Sequence, residues 1–199
     1  VPIFVHAEGG VGKTVFVQST AARLSNDFEV IVFDCFGGGA YRSAEHSRHL
    51  PSVGIVQIVN ELASRGLCDL LLPTEKNTRG ILKAARKRFN QAVTAVYTQS
   101  EKQGLLIIID AADNAQLEAD SRHEEAFPKL LLSMLDDEPI CGMKMVFTAR
   151  THRKDTVIGR ARVEPFELLP FSSTEARQFL ETRRPSIPEV EFATALSRS

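Results

Sequence analysis

Eight residues near the start of the chain, Ala7-Glu8-Gly9-Gly10-Val11-Gly12-Lys13-Thr14, have the types and spacing that hold phosphate. They follow the pattern GxxxxGK[ST], with Ala7 where the pattern has its first glycine, a side chain small enough for the turn. Glycines let the backbone curl so that successive N–H groups point inward, and a helix opening at Lys13 adds the partial positive charge of its N-terminus. The Lys13 ammonium can reach the outer phosphates of a polyphosphate, and the Thr14 hydroxyl can ligate Mg²⁺. The predicted contact set runs from Ala7 through Val15.

Two later segments supply the acids and the arginine that such a cradle needs. Leu105 to Asp110 is an apolar run ending in an acid. At the carboxyl end of a strand, Asp110 would hold the magnesium ion through a water molecule. A partnerless acid on a buried strand is costly, and a metal would offset that cost; an Asp there can also cap the following turn. Ala111 comes next and offers no acid, so the nearest acid able to orient or deprotonate an attacking water is Asp113. Asp113 as a loop-capping residue beside Asn114 is the other reading. The run Lys144 to Arg150 places Thr148 and Arg150 at another strand end. Arg150 there can register a terminal phosphate and stabilise charge, or it can be a surface arginine in a turn. His152 and Arg153 are near enough to share the role.

Chemistry of this kind needs its side chains on one edge of a rigid scaffold, and short β-rich runs alternating with helical ones predict a parallel sheet covered by helices. Predicted strands are Ile3 to His6, Glu29 to Cys35, Gly104 to Ala111, Lys144 to Ala149 and Val163 to Leu169. Helices are expected over Lys13 to Ser25, Val53 to Arg65 and Thr78 to Gln99, the last with Leu82, Ala85, Phe89, Ala92 and Val96 at helical spacing. Ser121 with Glu124, and Ser172 with Glu175, read as capping boxes opening two more. The long glycine-bearing loop Phe36 to Pro51 suggests function or disorder. The expected architecture is a three-layer α/β domain with a five-stranded, mainly parallel sheet over residues 1–169. Residues 170–199 then begin a helical lobe.

The 199 residues, 43% hydrophobic, suffice for one substantial core. A net charge of -1 gives no global field toward nucleic acid or membrane, so neither is expected as a partner of this domain. Three widely spaced cysteines without a CxxC pair fit reduced thiols in the cytoplasm better than disulfides or zinc. The longest apolar runs stop short of a membrane span. Val1 already lies in a strand-like run and Ser199 in a segment, Pro188 to Leu196, that reads as a helix starting. A piece of a longer protein is therefore expected.

Taken together, the motifs resemble the STAND class of signal-transducing ATPases, and within it the NACHT-like branch. The resemblance rests on Gly9 to Thr14, on LLIIIDAAD ending at Asp113, on Thr148-Ala149-Arg150, and on Phe166 to Ser172 followed by Glu175 and Ala176. It covers nearly the whole chain. The loop FGGGAYRSAEHSRHLP also looks like a segment of bacterial members, some of which act in antiviral defence. The resemblance implies a P-loop NTPase domain of the additional-strand type, ATP and ADP with Mg²⁺, and an ADP-closed switch that ATP opens to an oligomer. It further implies self-association through the nucleotide domain and more domains in the same chain. In this class the segment from Phe166 links to a helical lobe that folds over the base. The class also adds a winged helix and a repeat-rich sensor, neither of which these residues contain.

The expected activity is slow ATP hydrolysis. Thr14 and Asp110 would hold the metal and Lys13 with the loop amides the phosphates, while Asp113 directs water and Arg150 senses the terminal phosphate. A nucleotide-locked assembly scaffold is the alternative, supported by Ala111, and a P-loop kinase is a third reading without a convincing lid or acceptor pocket. No NKxD element reads guanine. The basic run Arg79, Lys83, Arg86, Lys87 and Arg88 reads as a solvated helix face, with a nucleic-acid or partner role as the other reading. Arg42, His46 and Arg48 read as a flexible surface loop, with approach to the nucleotide or a neighbouring subunit as the other reading, and the acids Glu118, Asp120, Glu124 and Glu125 as serving a helix N-terminus.

Overall fold

The structure, a computed structural model, describes residues 1–42, 47–72 and 77–183. His46, the turn expected around Pro73 and the helix expected over 188–196 lie outside the described residues. Five strands form one sheet: β1 (Ile3–Ala7), β2 (Glu29–Asp34), β3 (Leu105–Asp110), β4 (Met143–Arg150) and β5 (Glu164–Glu167). Their order is β2-β3-β4-β1-β5, and every neighbouring pair is parallel. The later strand β4 thus sits between β1 and β3. This is the three-layer α/β architecture the patterning predicts.

Seven α-helices are described: α1 (Lys13–Leu24), α2 (Pro51–Ser64), α3 (Thr78–Gln99), α4 (Ala112–Arg122), α5 (Phe127–Asp137), α6 (Lys154–Ile158) and α7 (Ser173–Arg183). They cover both faces of the sheet, which is why β3 is buried at all six positions and needs no polar face. Its alternate residues divide between two cores. Leu105, Ile107 and Ile109 join a large cluster with α2, α3 and α5. Leu106 and Ile108 face the other way, with Val5, Val146 and Val17 of α1. The edge strand β5 is short, contains Pro165 and is exposed throughout, which suits an edge.

Helix α3 occupies the predicted span and buries Ala85, Phe89, Ala92 and Val96 as its spacing requires. The Asn77 side chain accepts from the Gly80 N–H and caps it. Of its basic run, Arg79, Lys83 and Lys87 are exposed, while Arg86 binds Glu138 and Arg88 reaches the carbonyls of Ala84 and Leu70. The capping box at α7 forms: Ser172 N and Oγ both donate to Glu175 Oε2, at 2.8 and 2.7 Å.

The other capping box does not form. Helix α4 starts at Ala112, directly after β3, and Ser121 lies in its last turn, where its hydroxyl donates to Glu118 O. The helical signal there is carried by small residues: Ala112, Ala115 and Ala119 are fully buried at i, i+3 and i+7. Glu118 and Asp120 lie toward the carboxyl end of α4, not at an N-terminus, and Glu124 and Glu125 lie between α4 and α5. Glu118 pairs with Arg122, Glu124 with His49, and Asp120 accepts from Gln116.

Candidate functional site

The parallel registers bring the candidate residues to one edge of the sheet. Ala7 ends β1 opposite Arg150 of β4, Val5 pairs with Thr148, and Asp110 ends β3 opposite Asp34 of β2. Ala7, Arg150, Asp110 and Asp34 end their strands at the carboxyl edge, where α/β sheets bind ligands.

Between β1 and α1 the backbone turns through Gly10 and Gly12, with φ of 85° and 104°. These are left-handed values that only glycine adopts at little cost. Ala7 has no such requirement, being 1% exposed at a strand end, so alanine is accommodated there. Gly9 is more informative. Its φ is ordinary, and a Cβ added to it would meet nothing within 4 Å. Nothing in the protein demands glycine at that position, whereas a phosphate drawn up to the backbone would. The Lys13 ammonium curls over this loop and donates to the carbonyls of Ala7 and Glu8 at 2.9 and 2.8 Å. Burial pushes its pKa down, against the pull of Asp113, so an anion arriving there would restore what the lysine loses on leaving water.

Asp110 is 4% exposed and is held from two sides. Thr14 Oγ1 donates to one carboxylate oxygen at 3.0 Å, and Thr148 Oγ1 donates to the other. Thr148 in turn accepts from the Ala111 N–H at 2.9 Å. The carboxylate is therefore not the partnerless acid that the sequence suggests, since two hydroxyls satisfy it. Thr14 and Asp110 offer oxygen alone, the donor that Mg²⁺ takes, with phosphate and water completing its shell.

A cavity of about 410 Å³ opens above these groups. Its wall includes Gly9, Gly10, Gly12, Lys13, Thr14, Val15, Asp110, Asp113 and Arg150, which brings most of the predicted residues together. Ala7, Glu8 and Val11 complete the loop without facing the cavity. Ala111 takes a left-handed turn (φ 55°) that throws the chain from β3 into α4. Asp113 thereby enters the first turn of a helix and is 2% exposed. It caps no loop. Arg150 and Arg153 approach its Oδ2 at 3.9 and 3.6 Å, while His152 is exposed.

The sequence did not single out Asp34 or Asn114 as site residues and named Phe36 and Gly38 only as part of the long glycine loop; all four line the cavity. Asp34 accepts from the N–H groups of Phe36 and Gly37, folding the start of the long loop against the site. Arg48, expected in a flexible surface loop, is anchored instead. Its guanidinium donates twice to Asp34 O, at 2.9 and 2.8 Å, and lies 4.7 Å from the centre of the Phe33 ring. Arg42 lies 5.3 Å from the Tyr41 ring, and its carbonyl accepts from Arg122. The visible signal for this part was three consecutive glycines following an acid at the end of a strand.

No protein-family model matches the chain, and no curated protein matches its sequence. Solved structures do. The Drosophila origin recognition complex (ORC) bound to DNA aligns at 15% identity with a TM-score of 0.57, over 91% of this chain and 40% of that one. A Signal Transduction ATPase with Numerous Domains (STAND) from Pyrococcus horikoshii, with a tetratricopeptide-repeat sensor, aligns at 19% identity and TM-score 0.51, over 98% of this chain and 25% of that one. The Aeropyrum pernix ORC1 protein in complex with DNA aligns at 13% identity and TM-score 0.43, over 95% and 45%. The chain thus spans less than half the length of each of these structures. The likeness to the first two is one of fold, that of the P-loop NTPases. No helix among the described residues is long and apolar enough to cross a membrane.

Proposed function

We propose that this chain is the ATP-binding domain of a larger cytoplasmic switch protein of the STAND class, NACHT-like branch, and that it hydrolyses ATP slowly. The observation that carries the reading is the shared grip of Thr14 and Thr148 on the Asp110 carboxylate, directly beside the curled loop Gly9–Lys13. In this reading Lys13 and the loop amides of residues 7–15 hold the phosphates, and Thr14 with Asp110 holds Mg²⁺. The metal supplies charge neutralisation at the phosphate oxygens. Asp113 orients the attacking water and Arg150 stabilises charge on the terminal phosphate.

Residues 1–169 form the nucleotide domain in this proposal. Helix α7, with its capping box, begins the helical lobe of residues 170–199 that closes over the base. ATP and ADP would bias the arrangement of that lobe and the self-association of the domain, and further domains of the same chain would carry sensing and output. An antiviral-defence role in bacteria belongs to the same proposal and rests on the resemblance alone.

A second reading, a nucleotide-locked scaffold that barely turns over, draws support from Ala111 and from Asp113 lying between two arginines. Single-turnover hydrolysis of Mg·ATP together with equilibrium binding separates the two. Under the switch reading Lys13→Ala weakens ATP binding by roughly 10- to 100-fold, the worth of charge-assisted hydrogen bonds. Asp113→Asn keeps binding and loses about 100-fold or more in rate. Tight ATP binding without measurable turnover in the unaltered chain would favour the scaffold.

A further inference from the structure

We infer that Arg153 is a positioning residue for Asp113, the arginine that keeps this carboxylate in place when Arg150 turns to the terminal phosphate. The inference rests on the reading of Asp113 and Arg150 given above. Two guanidinium groups converge on one carboxylate oxygen, Arg150 Nη1 at 3.9 Å and Arg153 Nη1 at 3.6 Å. Both separations exceed a hydrogen bond. Asp113 Oδ2 and Arg153 Nη1 are each buried without a hydrogen-bond partner. A buried, orphaned donor and acceptor of opposite charge cost free energy separately, and a small shift toward each other would relieve both.

The two arginines differ in where they stand. Arg150 ends β4 and forms part of the cavity wall. Arg153 ends the short turn Thr151–Arg153, leads into α6 and does not line the cavity. A phosphate in the cavity therefore competes with Asp113 for Arg150 and leaves Arg153 where it is. An acid 2% exposed and beside added phosphate charge would be expensive without a remaining cation. Arg153, 3.6 Å from Asp113 and outside the cavity lining, supplies that cation. It holds Asp113 by charge and leaves the carboxylate face toward the cavity open to water.

The test uses the whole chain with Arg153→Gln, Arg153→Lys, Arg150→Gln and Asp113→Asn, plus the double variants that complete cycles with Asp113. Denaturant stability is measured with and without Mg²⁺ and a non-hydrolysable ATP analogue, and single-turnover rate and ATP affinity are measured alongside. Expected is a coupling between Arg153 and Asp113 that persists with nucleotide, while the Arg150–Asp113 coupling falls. Arg153→Gln should lower the rate roughly 10- to 100-fold through misplacement of Asp113, with ATP affinity within about twofold, and Arg153→Lys should recover part of the rate. Absent coupling between Arg153 and Asp113 overturns the inference, as does an Arg153→Gln variant that loses affinity but not rate. If the unaltered chain binds ATP yet never hydrolyses it, the hydrolytic reading fails, and the stability cycles decide the role of Arg153 by themselves.

Discussion

The Thr148 hydroxyl connects two chain segments through a single oxygen: it donates to Asp110 and accepts from the Ala111 N–H. Thr148→Val keeps the shape of the side chain and removes both bonds. It leaves a carboxylate 4% exposed short of a donor and a backbone N–H short of an acceptor, at an expected cost of about 1–3 kcal/mol. The urea midpoint should fall accordingly, and an unchanged midpoint would show that water replaces the hydroxyl without loss. At this scale the sequence was uneven. Gly9 to Thr14, Asp110, Asp113 and Arg150 stood out because phosphate and metal chemistry ties residue type to local spacing. Asp34 and Thr148 act through partners set by strand register, such as Asp34 opposite Asp110 and Val5 opposite Thr148. A single chain does not display that register until the strand order is known.

Elements were legible where their signal was long and periodic. Helix α3 carries an apolar stripe over 22 residues, so its span could be read directly. Helix α4 could not, because its buried face is alanine and its buried polar side chains (Asp113, Asn114, Gln116 and Glu118) imitate a loop. Helices α2 and α5 make a test of packing. A Cβ on Gly54 would lie 2.4 Å from the Phe127 ring, and that ring meets Phe33 edge-on at 5.1 Å. Gly54→Ala should therefore destabilise the chain by about 1–3 kcal/mol despite alanine's better helix propensity. A stabilised variant would mean that the two helices can separate at no cost. The start of β2 gives a pH test. Burial raises the Glu29 pKa, but hydrogen bonds from Lys102 and Arg65 prevail and hold it below its ordinary 4.5. A depressed carboxylate pKa means that the folded state binds fewer protons than the unfolded one. Its contribution is thus complete above the ordinary value and disappears as pH falls through the folded one. Urea midpoints should place Glu29→Gln below the unaltered chain at pH 7, with the gap closing in acid below that ordinary value. A gap independent of pH would assign the loss to packing instead.

Over the whole molecule, the order β2-β3-β4-β1-β5 explains why residues far apart in sequence meet. Parallel strands all deliver their carboxyl ends to one edge, and β4 between β1 and β3 sets Thr148 and Arg150 between the loop and Asp110. The alternation of strand and helix made a parallel sheet legible, but not which strand lies beside which, because any connection by a covering helix gives the same pattern. This geometry makes ligand binding and global stability one measurement, since only the assembled edge forms the cavity. A ligand that binds the folded chain alone stabilises it by RT ln(1 + [L]/Kd), about 2.7 kcal/mol at 100 times Kd. For a domain of this size each kcal/mol moves Tm by roughly 2–4 °C. Mg·ATP at that excess should therefore raise Tm by roughly 5–11 °C. A 10- to 100-fold weaker Kd in Lys13→Ala should leave only roughly 1–6 °C at the same concentration. Removing Mg²⁺ with a chelator should reduce the shift in the unaltered chain, because Asp110 and Thr14 then face the phosphates without the cation between them. An equal shift in Lys13→Ala would place the nucleotide away from this edge of the sheet.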